Sequence, residues 1–322
     1  MSATPDTEPT LLTEDLRKTY GTVEAVRGLN LTVRRGEIFG FVGPNGAGKS
    51  TSVGMLSTLL RPTAGWAMVA GYDVRYERHK VRGSIGIVFQ ETTLDTDLTA
   101  ERNLRFHADL YCLPGREGRR RALAMLDLMG LAQRRSDRVR TFSGGMRRRL
   151  EIARGLLHGP KVLFLDEPTT GLDPQTRAVI WEHLHRLRTE EGTTVFLTTH
   201  HLEEAEHCDR IAIIDGGRVV AQGSPAELRS VIGADTILLR TGHDEAVVRA
   251  LRERFALEGV VTPQGVRVEV KDAAAYIPRL CAGLDIPLHS VTAAPPSLDD
   301  VFLHYTGRTI REVGADLPMR KG

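Results

Sequence analysis

Gly43-Pro44-Asn45-Gly46-Ala47-Gly48-Lys49-Ser50-Thr51 fits the spacing G-x-x-x-x-G-K-[ST]. The residues before it, Ile38-Phe39-Gly40-Phe41-Val42, form an apolar run of the length of a buried strand. The residues after it, Ser52 to Leu60, carry apolar positions at helical spacing. Strand, glycine loop and helix form the context in which this spacing is a phosphate cradle and not a chance turn. Gly43, Gly46 and Gly48 lack a Cβ, so the backbone can curl and aim its N–H groups at phosphate oxygens. The start of the following helix adds partial positive charge. Lys49 is placed to reach β- and γ-phosphates and the Ser50 hydroxyl to ligate Mg²⁺.

Composition narrows the classes around this loop. The chain has 322 residues, 41% hydrophobic and 26% charged, which suits one large globular domain with a smaller companion. A net charge of +2 gives no polyelectrolyte character that would demand nucleic acid. The basic residues are mostly Arg, a genomic composition bias. The longest apolar runs, such as Val162-Leu163-Phe164-Leu165, are strand-sized and far short of the ~18 residues of a membrane span. Met1 to Thr10 has neither the basic nor the apolar region of a signal peptide and reads as a disordered tail, residues 1–10. Cys112, Cys208 and Cys281 are scattered and odd in number, as in a reducing compartment.

Along the chain, Leu11 to Tyr20 and Leu29 to Val33 read as strands framing the loop. Tyr20 has two readings: a platform for a purine ring, or a strand-end aromatic packed on the core edge. Arg61 to Gly65 ends the first helix, and Ile85 to Phe89 is a strand leading to Gln90. A carboxamide there can touch a metal or water at the sheet's C-terminal edge, or be a solvated loop residue. Leu98 to Leu131 is helical with a break at Pro114-Gly115; Arg119-Arg120-Arg121 read as a solvated face because no aromatics interleave with them. Ser143-Gly144-Gly145 opens a helix running to about His158: an anion-binding device, or an ordinary N-cap.

Lys161 to Leu165 is a buried strand ending in Asp166-Glu167. Two acids at the end of an apolar strand are costly without a cation or polar partner. Because neighbouring strand residues point to different sides, one can hold a metal while the other faces a water. Gly171-Leu172-Asp173-Pro174 is a turn into a helix, and Thr193 to Thr199 is a strand ending at His200. Arg210 to Ile214, Arg218 to Ala221 and a helix from Ser224 to Val231 close this domain. His201, His207 and Cys208 have no metal-ligand spacing and read as structural or surface residues. From Thr236 the order becomes β-α-β-β-α-β, the ferredoxin-like arrangement, followed by a helix capped by Ser297.

Taken in order, these motifs resemble the ATP-binding cassette (ABC) family, over roughly Leu11 to Val231. They correspond to Walker A (Gly43 to Thr51), the Q-loop (Gln90), the signature (Ser143-Gly144-Gly145), Walker B (Val162 to Asp166, then Glu167), the D-loop (Gly171-Leu172-Asp173) and the switch histidine (His200). Phe142 and Met146 depart from the common Leu and Gln. The resemblance implies that Tyr20 stacks on adenine, that Gly43, Pro44, Asn45, Gly46, Ala47, Gly48, Lys49, Ser50 and Thr51 hold the phosphates, and that Ser50, Gln90 and Asp166 ligate Mg²⁺. It implies that Glu167 polarises the attacking water with His200 and Gln90 assisting. Ser143, Gly144, Gly145 and Asp173 would then serve an ATP sandwiched in a head-to-tail homodimer. Pro296-Ser297-Leu298-Asp299-Asp300-Val301-Phe302-Leu303 through Arg308 further resembles the daunorubicin-resistance-type drug exporters.

The implied fold is α/β: a P-loop NTPase ABC ATPase domain over residues 11–233 with a helical subdomain at about 91–157. A small α+β ferredoxin-like accessory domain over 234–307 and a tail over 308–322 complete it. The implied activity is ATP hydrolysis at the cytoplasmic face of the membrane, driving drug export through a separate transmembrane permease, with no nucleic acid as partner. The alternatives are a soluble ABC ATPase acting on DNA or ribosomes, and an importer subunit. The single cassette without a coiled-coil insertion argues against the first, and the exporter-like C-terminus against the second.

Overall fold

The computed structural model describes residues 8–233, 235–294 and 296–308. Most of both expected tails, residues 1–7 and 309–322, lies outside the described residues. Contacts divide the chain into two compact units, one ending at Ser224 and one beginning at Pro225, earlier than the boundary expected at 233.

The first unit runs β1 (Pro9–Tyr20), β2 (Val23–Arg34), β3 (Ile38–Val42), α1 (Lys49–Leu56), β4 (Ala64–Val69), β5 (Tyr72–Asp73), α2 (Arg78–Ser84) and β6 (Ile85–Val88). It continues with α3 (Ala100–Leu110), α4 (Gly115–Leu128), α5 (Gly144–Leu156), β7 (Val162–Asp166), α6 (Pro174–Glu191), β8 (Thr194–Thr199), α7 (Leu202–Ala205), β9 (Arg210–Asp215) and β10 (Arg218–Gly223). One sheet has the order β10-β9-β3-β8-β7-β6, with β9, β3, β8, β7 and β6 joined by parallel pairings and β10 antiparallel at one edge. Helical crossovers cover such a sheet on both faces, which is why its strands read as unbroken apolar runs. The centre is aromatic: Phe196 lies 5.4 to 5.7 Å, ring centre to ring centre, from Phe164, Phe39 and Phe41. The second sheet, β2-β1-β4-β5, is antiparallel.

Three local expectations are corrected. Pro9 and Thr10 belong to β1 and not to the tail, since the Thr10 carbonyl accepts from the Ala70 amide at 2.7 Å. The helix after the glycine loop begins at Lys49 and stops at Leu56, short of Leu60. Thr58 turns left-handed (φ 65°), and the Leu60 amide reaches back to the Gly54 carbonyl at 2.8 Å. Ala64 and Gly65, expected at the end of the first helix, instead open β4, which with β5 adds two strands to the antiparallel sheet.

The second unit contains α8 (Pro225–Ile232), β11 (Asp235–Thr241), α9 (Asp244–Phe255), β12 (Gly259–Thr262), β13 (Gly265–Val270), α10 (Ala273–Gly283), β14 (Leu288–Ala294) and α11 (Leu298–Thr306). Its sheet is antiparallel, in the order β12-β13-β11-β14. Ile237, Leu239, Val247, Leu251, Val266 and Leu280 share one buried cluster. α11 opens with a capping box between Ser297 and Asp300 and contacts α8, which is why α8 belongs to this unit.

Candidate active site

All five residues of β3 are buried, so the strand delivers Gly43 to the sheet's C-terminal edge. A Cβ on Gly43 would sit 2.2 Å from the Ile214 carbonyl oxygen, and Gly46 and Gly48 have φ of 80° and 105°. No L side chain fits the first, and the other two lie where only glycine is unstrained. Gly48 is also the N-cap of α1, with no side chain covering the first amides, which lack an intrahelical acceptor. That exposed turn is where the sequence places the phosphate cradle. Lys49 is 5% exposed, and its Nζ donates to the carbonyls of Gly43 at 2.7 Å and Pro44 at 3.1 Å. Burial pushes the Lys49 ammonium below its usual range, while Glu167 and Asp166 pull it back.

The two acids come from β7 and the turn beyond it. In the parallel pairing of β7 with β8, Asp166 stands opposite Thr198. The Thr198 hydroxyl donates to Asp166 Oδ1, and the Ser50 hydroxyl donates to Oδ2 at 3.3 Å. Glu167 leaves the strand through a left-handed conformation (φ 46°), and its amide reaches both the Thr198 carbonyl at 3.1 Å and hydroxyl at 3.2 Å. A non-glycine residue in that region is strained, a feature that gathers at functional sites. Strand alternation alone therefore does not place Glu167. The turn swings it to the Lys49 side, where Oε1 lies 2.9 Å from His200 Nδ1 and 3.8 Å from Lys49 Nζ. Oε2 accepts from the Thr170 hydroxyl at 3.3 Å.

Lys49, Ser50, Glu167, Thr170 and His200 line one cavity of about 540 Å³, together with Ala25, Asn45, Gly46, Gly48, Thr51 and Gln90; Asp166 stands behind that wall, joined to it through the Ser50 hydroxyl. Backbone amides and an ammonium, with a carboxylate and its imidazole partner beside that ammonium, can hold a polyphosphate and take a proton next to its terminal group. Ser50, Asp166 and Gln90 are all oxygen donors, the set a hard cation such as Mg²⁺ takes alongside substrate phosphates. The Ser50–Asp166 contact already brings two of them together.

The ABC transporter family model matches residues 26–170. The chain is 40% identical over 312 residues to the linearmycin resistance ATP-binding protein LnrL of Bacillus subtilis, covering 94% of this chain and 100% of that one. It is 42% identical over 310 residues to the daunorubicin resistance ATP-binding protein DrrA3 of Streptomyces coeruleorubidus, covering 92% and 96%. The ATP-binding cassette MJ0796, solved as a dimer in a post-hydrolysis state with ADP and Pi, is 30% identical with a TM-score of 0.61, covering 66% of this chain and 98% of that one.

The chain belongs to the ABC transporter ATP-binding proteins.

The remaining ABC motifs do not all reach the Lys49 cavity. Gln90, beyond the end of β6, is exposed and lines it. Tyr20 ends β1 nearly half exposed, with Lys18 Nζ 4.9 Å from its ring centre, and is not part of the cavity wall. The signature residues Ser143, Gly144 and Gly145 are also absent from that wall. Ser143 caps α5 by accepting from the Met146 amide at 3.2 Å, and Gly145 packs against Thr176, where a Cβ would come within 2.2 Å. Asp173 caps α6, accepting from the amide of Thr176 at 3.0 Å and from its hydroxyl at 2.6 Å. The segments expected to be signature and D-loop therefore adjoin each other around Thr176, and neither lines the Lys49 cavity.

His201, His207 and Cys208 form no metal site: among the described residues no cluster of metal-ligating side chains exists. Cys208 is buried below Gly40, and the His207 ring stacks on Trp181. Thr198 and Thr170 escaped the sequence reading, since a threonine at a strand end or in a turn carries no signal until the partner acids are seen in space.

Proposed function

We propose that this ABC subunit hydrolyses ATP in a head-to-tail homodimer and drives export of a drug-like or hydrophobic compound through a separate membrane permease. The observation that carries the reading is the convergence of Lys49, Ser50, Glu167 and His200 on one cavity, with Asp166 bonded to Ser50 beside it, while Ser143–Gly145 pack against the α6 N-terminus and not on that cavity's wall. The P-loop amides and Lys49 bind the β- and γ-phosphates. Glu167 accepts the proton of the attacking water, held in place by His200 and Thr170. His200 contacts the γ-phosphate, and Tyr20 offers its free ring face to adenine. Ser50, Asp166 and Gln90 would hold Mg²⁺, which would supply charge neutralisation at the phosphates. Ser143 and Gly145 complete the site of the other subunit, with Asp173 at the same interface.

Among the described residues no helix is long and apolar enough to cross a membrane, in keeping with a peripheral subunit on the cytoplasmic face. A groove of about 770 Å³ in the first unit, with Ile85 and Ile87 in its lining and exposed Phe89, Leu110 and Tyr111 at its rim, is the face we assign to the permease. The linearmycin and daunorubicin resistance roles of the two relatives favour a drug-like cargo. The second unit is read as a ferredoxin-like accessory domain, supported by its β-α-β-β-α-β order and antiparallel sheet.

The composite site is tested by Ser143→Arg in a Glu167→Gln background. With Mg-ATP the Glu167→Gln protein should elute as a dimer. Adding Ser143→Arg should return it to monomer while each monomer still binds ATP, because Ser143 does not line the Lys49 cavity of its own subunit. Loss of ATP binding by the dilute monomer would place Ser143 in the same subunit's site and overturn the head-to-tail arrangement.

A further inference from the structure

One face of α5 carries three charged residues at successive turns, Arg148, Glu151 and Arg154, each between 2% and 7% exposed. Buried charges are kept only where partners satisfy them. Here the partners are mostly backbone. Arg148 Nε donates to the Pro168 carbonyl at 2.8 Å and Nη2 to the Asp166 carbonyl at 2.9 Å, while Nη1 donates to the Phe89 carbonyl and lies 3.3 Å from Glu151 Oε2. Glu151 Oε1 accepts from the Thr93 amide at 2.9 Å. Arg154 donates to the Thr93 carbonyl at 3.0 Å and to its hydroxyl. Asp166 and Pro168 are the two neighbours of Glu167; Phe89 and Thr93 lie on either side of Gln90. The same helix is capped by Ser143.

We propose that Arg148 is a positioning residue for hydrolysis: its guanidinium locks the backbone on both sides of Glu167, and the residue before Gln90, into one frame with the helix that presents Ser143 and Gly145 to the partner's ATP. A planar guanidinium spreads five donors over three nitrogens and so reaches three separately placed carbonyls at once, a span that the single nitrogen of an ammonium does not cover. A shift of α5 when Ser143 meets the other subunit's γ-phosphate is thereby passed to Glu167 and Gln90 of its own site. This inference rests on the roles given to Glu167 and Ser143 above. Its structural rival is that Arg148 merely satisfies carbonyls left open at two strand ends. The rival predicts a stability loss without a specific loss of turnover.

The test is a double-mutant cycle in the full chain with Arg148→Lys and Glu167→Gln. Lysine keeps the buried charge beside Glu151 but releases the three-carbonyl frame. Because small misplacements at a reacting centre cost up to about a hundredfold, Arg148→Lys should lower kcat roughly 10- to 100-fold with the Kd for Mg-ATP within about threefold. In the Glu167→Gln background the same change should have no further effect on residual hydrolysis, since the group it positions is gone. Parental kcat in Arg148→Lys, or a full additional loss on top of Glu167→Gln, would overturn the proposal. An unchanged rate in Glu167→Gln alone would instead overturn the assignment of Glu167 beneath it.

Discussion

Replacing Glu167 with Gln isolates the proton-accepting step. The side chain is 9% exposed and held by three neighbours: His200 Nδ1 at 2.9 Å, the Thr170 hydroxyl at 3.3 Å and Lys49 Nζ at 3.8 Å. Glutamine keeps size and shape and can still engage Thr170 and His200, so the cavity should survive. What it loses is the ability to take a proton. A general base contributes about 10²–10⁴-fold, or roughly 3–5 kcal/mol of barrier. Binding should move the other way. In the free protein Glu167 is a counter-charge to Lys49, and opposite charges about 4 Å apart attract by on the order of 4 kcal/mol at most in a partly solvated site. Incoming phosphates replace that carboxylate as the partner of Lys49 and no longer meet its repulsion, so ATP affinity should hold or rise, by up to about tenfold. The ATP-bound dimer should then persist, because ligand that binds the dimer in preference to the monomer shifts the equilibrium by mass action. Phosphate release at saturating Mg-ATP, nucleotide titration and size-exclusion chromatography measure the three effects. Turnover at the parental rate would remove Glu167 as the base and leave His200 as the first group to examine.

Lys49→Ala deletes the cation of the phosphate loop and its charge-assisted hydrogen bonds. Hydrolysis should fall by at least about a thousandfold, ATP binding should weaken strongly, and drug efflux should stop in cells that also express the permease, all read in parallel assays. Thr198→Val removes the hydroxyl that serves both Asp166 and the Glu167 amide. It should cost about 1–3 kcal/mol in denaturant unfolding and lower kcat about tenfold with little change in Kd; parental kcat would show that the hydroxyl is not needed. Burial, aided by nearby Arg154, pulls His107 from 6.5 down to about 4. Its folded pKa lies below its unfolded one, so the unfolded chain binds more protons between these values and stability falls as pH drops from about 6.5 toward 4. His107→Gln should flatten that fall in unfolding midpoints measured across the range; an unaltered slope would exclude His107 as a contributor.

The order of motifs around Lys49, Asp166-Glu167 and His200 was legible in the chain because each is a local event: a glycine loop between strand and helix, or polar residues ending an apolar run. Those patterns carry the ATP-binding cassette assignment and nearly the whole cavity wall. Residues 64–73 were not legible. Ala64-Gly65-Trp66-Ala67-Met68-Val69 has little strand propensity of its own and becomes β4 through pairing with β1, some fifty residues earlier in the chain. Nor could the chain show that Glu167 would reach Lys49 and His200. That depends on a left-handed turn beyond β7 and on the register that sets Asp166 opposite Thr198. Tertiary structure alone also set Gly145 against Thr176, off the wall of the Lys49 cavity, and brought Arg148 to carbonyls on both sides of Glu167. Side-chain pattern records which face of an element is buried. Which distant atoms meet there is decided by strand order, register and backbone turns, and those are fixed only when the sheets assemble.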